Sequence, residues 1–97
     1  MLDPGPNDLA RCHAYLSGRV QGVGMRATIQ ILAQQMKLVG WVRNMDDGRV
    51  EALVQGPRVE IERLWKKLQE HRAGLIATLS QIWEPVGTEY HSFDINP

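Results

Sequence analysis

The sequence predicts an α+β sandwich in which two helices cover one face of a mostly antiparallel sheet. Three observations lead there. The spacing of apolar residues switches between period two and a period near 3.6, so strand and helix alternate along the chain. Asp46-Asp47-Gly48 separates two strand-like runs, and Asp-Gly marks a tight turn that would pair them antiparallel. The 97 residues, 43% hydrophobic and 23% charged, supply one modest core and no second domain.

The elements follow in order. Pro4, Gly5, Pro6, Asn7 and Asp8 predict a loose tail over residues 1–9, ahead of a domain over 10–97. From Arg11 to Ser17, Cys12, Ala14 and Leu16 fall on one face and His13 and Tyr15 on the other, which is a half-buried strand. From Met25 to Lys37, Met25, Ile29, Leu32, Ala33 and Met36 recur every three or four residues, which is an amphipathic helix. Leu38 to Met45 and Arg49 to Gln55 read as the antiparallel pair, the latter with Val50, Ala52 and Val54 on one face. Gly56-Pro57 opens a second helix with Ile61, Leu64, Trp65 and Leu68 as its stripe, and Ala73-Gly74 stops it. Leu75 to Trp83 and Glu89 to Ile95 are extended. The order β-α-β-β-α-β, with one strand more, is that of the ferredoxin-like sandwich. That architecture serves many functions, so function has to come from a site.

Charge narrows the classes. Lysine plus arginine and aspartate plus glutamate number 11 each, giving a net charge of zero. No global field draws in a polyanion, which disfavours nucleic acid and membrane surfaces as partners. Arg49, Glu51, Leu53 and Gln55, on the open face of the third strand, supply no aromatic ring for a base. No run approaches the roughly 18 apolar residues of a membrane helix, and the first residues lack the pattern of a secretory signal. The one cysteine, Cys12, allows no intrachain disulfide and suits a reducing cytoplasm. On the apolar face of a strand, it reads as an inert core residue. His13, His71 and His91 lack metal-ligand spacing. The expectation is a cytoplasmic monomer with no metal and no cofactor.

One segment points to chemistry. Gly18-Arg19-Val20-Gln21-Gly22-Val23-Gly24-Met25-Arg26 runs from the first strand into the first helix. Glycines permit positive φ and let backbone N–H groups converge, and a helix N-terminus adds further donors. Arg26, in the first turn, can bring a fork of donors that matches two phosphate oxygens. Neither a P-loop nor a dinucleotide fingerprint fits, because no Gly-Lys-Ser/Thr follows and the glycine spacing is wrong. By spacing alone the segment is either an anion cradle or a tight turn beside an exposed arginine.

Gly18-Arg19-Val20-Gln21-Gly22-Val23, Arg26, Leu38-Val39-Gly40-Trp41-Val42-Arg43-Asn44, Asp47-Gly48 and Val50-Glu51 together resemble the signature of the acylphosphatase family, in residues and in spacing. The resemblance is dense from Ser17 to Gly56. It implies hydrolysis of the carboxyl–phosphate bond of a small acyl phosphate, with inorganic phosphate as a product. It also implies that the backbone of Val20, Gln21, Gly22, Val23 and Gly24 cradles the phosphate, that Arg26 binds it and that Asn44 orients the attacking water. Such a reaction asks little else. The leaving carboxylate needs no proton, so the work is holding the phosphoryl group, neutralising its charge and placing a water in line. Asn44 both donates and accepts, and a phosphate oxygen of the substrate is left to take the proton. Arg19 and Arg43 flank the segment and could steer an anion. The chain departs from the family at Gly24-Met25, where two bulky residues are usual, at Met45, where threonine often follows the asparagine, and between Arg72 and Thr78, where a proline-rich turn is common. Those departures leave a second reading: a module of the same fold that grips a phosphorylated or carbamoylated ligand with little turnover.

Overall fold

The computed structural model describes residues 3–97. Five strands and two helices follow one another as β1 (Leu9–Gly18), α1 (Met25–Gln35), β2 (Val39–Asn44), β3 (Val50–Pro57), α2 (Arg58–His71), β4 (Ile76–Glu84) and β5 (Phe93–Ile95). The strands form one sheet in the order β4-β1-β3-β2-β5. All pairs are antiparallel except β2 with β5. The ferredoxin-like sandwich expected from the periodicity is therefore the fold, with β5 added beside β2.

Alternation on the two central strands decides which face the helices cover. Cys12, Ala14 and Leu16 of β1, and Val50, Ala52 and Val54 of β3, are fully buried beneath the helices. Ile29 and Ala33 of α1 and Ile61, Leu64 and Leu68 of α2 meet them from above. Alanines and cysteine at the centre of the sheet leave depth for the large helix residues, so both layers interdigitate. Cys12 is part of this packing. Its thiol donates to Gln81 Oε1 at 3.0 Å, and burial pushes it up to about 12, so little thiolate forms near neutrality.

Strand register also brings the ends of distant segments together. Leu16, Val50 and Asn44 are lateral neighbours on β1, β3 and β2. The loop that leaves β1 after Gly18 thus emerges at the same end of the sheet as Asn44. Parallel β5 pairs Ile95 with Val42, so it too ends there.

Residues 3–8, within the expected tail, are tied to α2. That helix has no side-chain N-cap. Arg58 N–H instead donates to Asp8 O at 3.1 Å and Val59 N–H to Pro6 O at 2.9 Å, while Gly5 N–H donates to Asp8 Oδ2 at 2.9 Å. Backbone carbonyls thereby satisfy donors that a helix start leaves free. Leu9, the last residue of that tail, opens β1, and Met1 and Leu2 lie outside the described residues.

The face away from the helices is drier than its composition suggests. Arg11, Glu51, Leu53 and Gln55 are all buried there. His13 explains much of this. Its Nε2 lies 2.6 Å from Glu51 Oε2 and its Nδ1 2.8 Å from Glu84 Oε1. Arg43 Nε donates to Glu51 Oε1 at 2.5 Å, and Tyr15 stacks on the imidazole at 5.0 Å between centroids. Two acceptors on one imidazole call for two N–H donors, which only the protonated ring has. Burial opposes that charge, but the hydrogen bonds to Glu51 and Glu84 and their charges outweigh it, and the His13 pKa is raised from 6.5. Glu51 is lowered from 4.5, its burial outweighed by His13 and Arg43.

The sign of the linkage follows. A raised histidine contributes stability that is complete below about 6.5 and fades as pH climbs through the higher folded value. A lowered carboxylate contributes above about 4.5 and fades as pH falls through its folded value. Both are complete between those limits. The thermal midpoint of wild type should exceed that of His13→Gln most between pH 5 and 6.5, and the gap should narrow toward pH 8. A gap that widened with pH would contradict a protonated His13.

Candidate active site

The site is built from the loop after β1, the first turn of α1, the end of β2 and the end of β5. Val20 anchors the loop, its side chain 1% exposed in the core. Gly22 at φ 73° and Gly24 at φ 77° sit in the left-handed region, which turns the chain sharply between strand and helix. Gly24 is also the N-cap of α1, so no side chain satisfies the first N–H groups of the helix, and no acidic residue lies in the first turn. Among the described residues, no N–H from Val20 through Ala27 donates to a backbone carbonyl. A cluster of free donors at the positive end of a helix attracts an anion.

These donors border a hollow of about 190 Å³. Val20, Gly22, Gly24, Met25, Arg26, Ala27, Asn44 and Ile95 line it. That leaves room for a phosphoryl group and a nucleophilic water. Arg26 makes no ion pair among the described residues, so no carboxylate competes for its guanidinium. Asn44 is half-buried, and its Oδ1 is buried without a hydrogen-bond partner. A buried acceptor with no protein donor costs on the order of 1–3 kcal/mol, so its place beside the hollow suits a bound water.

The structure brings together most of the residues singled out from the sequence. Val20, Gly22, Gly24, Arg26 and Asn44 share the hollow. Val23 does not line it and packs against the core instead. Gln21 does not line it either, and its side chain has another task. Its Nε2 donates to Met45 O at 2.8 Å and to Arg49 O at 2.9 Å. The loop after β1 is thereby pinned to the β2–β3 turn that follows Asn44. These acceptors are backbone atoms, so methionine at position 45 does not weaken the tie. Arg43 points to the opposite face and holds Glu51, away from the hollow. Sequence reasoning missed Ile95, which reaches the site only through the parallel pairing of β5, and Ala27.

Chemically, the arrangement offers free backbone donors, one guanidinium and one amide in a small concave space. Among the described residues, no group of three or more histidine, cysteine or acidic side chains is placed to hold a metal ion, and no helix is long and apolar enough to cross a membrane. An α+β sandwich with such a cradle at the strand-to-helix turn defines a protein that handles a phosphoryl-sized anion. The chain belongs to the acylphosphatase family, whose family model matches residues 12–95. An acylphosphatase from Haloarcula marismortui is 42% identical over 81 residues, covering 81% of this chain and 89% of that protein. One from Natronomonas pharaonis is 52% identical over 58 residues, covering 60% of this chain and 63% of that protein, just under two thirds of its length. The crystal structure of acylphosphatase from Bacillus subtilis superposes with a TM-score of 0.85 at 32% identity, covering 91% of this chain and 99% of that one. Relatives at these identities carry the name of the enzyme, which favours it over a low-turnover binding module.

Proposed function

We propose that this protein hydrolyses acyl phosphates to a carboxylate and inorganic phosphate without a metal. Backbone N–H groups of Val20, Gly22 and Gly24 hold the phosphoryl oxygens at the hollow they line, those of Gln21 and Val23 join them from the same loop although their side chains face elsewhere, and Arg26 closes over two of the oxygens. Asn44 holds the attacking water in line, and a phosphate oxygen takes its proton. The observation that carries this reading is the unpartnered Oδ1 of Asn44, buried beside the hollow that Arg26 and the left-handed glycines line. Family membership supports the reaction, and the size of the hollow suits a phosphoryl group. The substrate is a small molecule met in solution. We take the protein as a monomer of the cytoplasm with its domain over residues 10–97, and the buried free thiol accords with that compartment.

Purified protein should turn over benzoyl phosphate or acetyl phosphate at the same rate with and without EDTA. Inorganic phosphate should inhibit competitively. Strong inhibition by EDTA would point to a bound metal and overturn the mechanism. Phosphate binding with no turnover of either substrate would reduce the protein to a binding module.

A further inference from the structure

A second arginine lies behind the phosphate loop. Arg72, at the C-cap of α2, is partly buried, and its Nε is buried with no hydrogen-bond partner. Its Nη2 donates to Thr28 Oγ1 at 2.6 Å. Thr28 Oγ1 in turn donates to the Gly24 carbonyl at 2.9 Å, and Thr28 N–H donates to the same carbonyl at 3.0 Å. A continuous chain of hydrogen bonds therefore runs from the end of α2 to the N-cap of α1. Position 24 adopts φ 77°, which favours glycine, and a β-carbon there would lie in ordinary contact with Arg72 Nη2 at 3.5 Å, so the guanidinium packs directly beside it.

We propose that Arg72 is a positioning residue for the phosphate cradle, acting through Thr28 to hold the Gly24–Met25 peptide with its N–H toward the hollow. The peptide is planar and trans, so its carbonyl and N–H point in opposite directions. With the Gly24 carbonyl held along the helix by Thr28, the Met25 N–H faces the helix start, where Gly24, Met25 and Arg26 line the hollow. A glycine has the widest range of backbone rotation, so an anchor from outside matters more here than at any other residue type. The charge on Arg72 strengthens the chain, because each hydrogen bond polarises the next. Among the described residues Arg72 makes no ion pair that would draw it elsewhere.

The proposal rests on the hydrolase reading of the same hollow. Three variants test it: Arg72→Met, Arg72→Lys and Thr28→Val. Arg72→Met should raise the KM for benzoyl phosphate and the inhibition constant of inorganic phosphate, each by about five- to tenfold, as loss of one charge-assisted contact does. Its kcat at saturation should stay within about twofold. Thr28→Val, which keeps the cation and breaks the chain, should match it. The double variant should add little to either, because both act on one chain. Arg72→Lys should recover part of the phosphate affinity, since an ammonium can still donate to Thr28.

Arg72→Met that melts earlier but keeps wild-type phosphate inhibition would overturn the proposal and leave only a structural arginine. Wild-type inhibition in Thr28→Val, or full additivity in the double variant, would also overturn it. Should Arg72→Met fail to fold, Thr28→Val alone decides. Amide hydrogen exchange of Thr28, read without any ligand, should speed up in both single variants, and unchanged exchange would sink the tether. A wild type that neither turns over an acyl phosphate nor binds inorganic phosphate would defeat the hydrolase reading, while the exchange measurement still decides the tether.

Discussion

Arg26→Ala should lower kcat/KM for benzoyl phosphate by roughly a thousandfold and abolish measurable inhibition by inorganic phosphate. The magnitude follows from geometry. A guanidinium that grips two phosphate oxygens makes two charge-assisted hydrogen bonds, each worth about 1.5–3 kcal/mol, and every 1.4 kcal/mol is tenfold. Phosphate is bound in the ground state as well as in the transition state, so both affinity and turnover should fall. Arg26→Lys should recover charge without the fork and regain only part of the loss. The thermal midpoint should barely move, since the side chain makes no ion pair among the described residues. Steady-state kinetics, phosphate inhibition and a melting curve on the same preparations check all three statements. Wild-type phosphate inhibition in Arg26→Ala would remove the arginine from the cradle.

How much of this was legible in the sequence depends on how far each contact reaches along the chain. Element type was legible because periodicity is local: Cys12, Ala14 and Leu16 alternate within one strand, and the structure buries all three. The antiparallel pairing of β2 with β3 was legible because one Asp-Gly turn joins them. The parallel pairing of β5 was not, because a strand of three residues joins β2 from some fifty residues away with no turn to signal it. The same limit applies to the site. The glycines and Arg26 stand in one segment, and Asn44 stands in a second motif with its own spacing. The tie from Gln21 to Met45 and Arg49 crosses to another element, and it uses backbone acceptors that no side-chain pattern reveals. Arg72 meets Thr28 across 44 residues of chain, so nothing local to Gly24 showed that the space beside it holds a guanidinium. On the open face, composition suggested water where His13 draws two carboxylates into a compact network.

Asn44→Ala separates binding from chemistry more sharply than any other change. Its kcat should fall by about a hundred- to a thousandfold, the usual cost of removing one preorganised hydrogen-bonding group that acts on the reacting atoms. Affinity for inorganic phosphate should stay within about threefold, because the backbone donors and Arg26 remain. Stability supplies a second and independent reading. In the folded protein no group among the described residues donates to the buried Asn44 Oδ1. An acceptor in that state costs on the order of 1–3 kcal/mol, and alanine removes it along with a little packing. The variant should therefore be as stable as wild type or more so, although a partly buried residue has been truncated. Dead but stable protein is what a group kept for water positioning predicts, since its cost to folding is borne for the reaction. Asn44→Asp adds a contrast. It keeps the acceptor but places a negative charge beside a dianion, so phosphate inhibition should weaken as well as turnover. Near-full kcat in Asn44→Ala would show that the attacking water is held elsewhere. A lowered melting temperature in the same variant would show that Asn44 serves the fold.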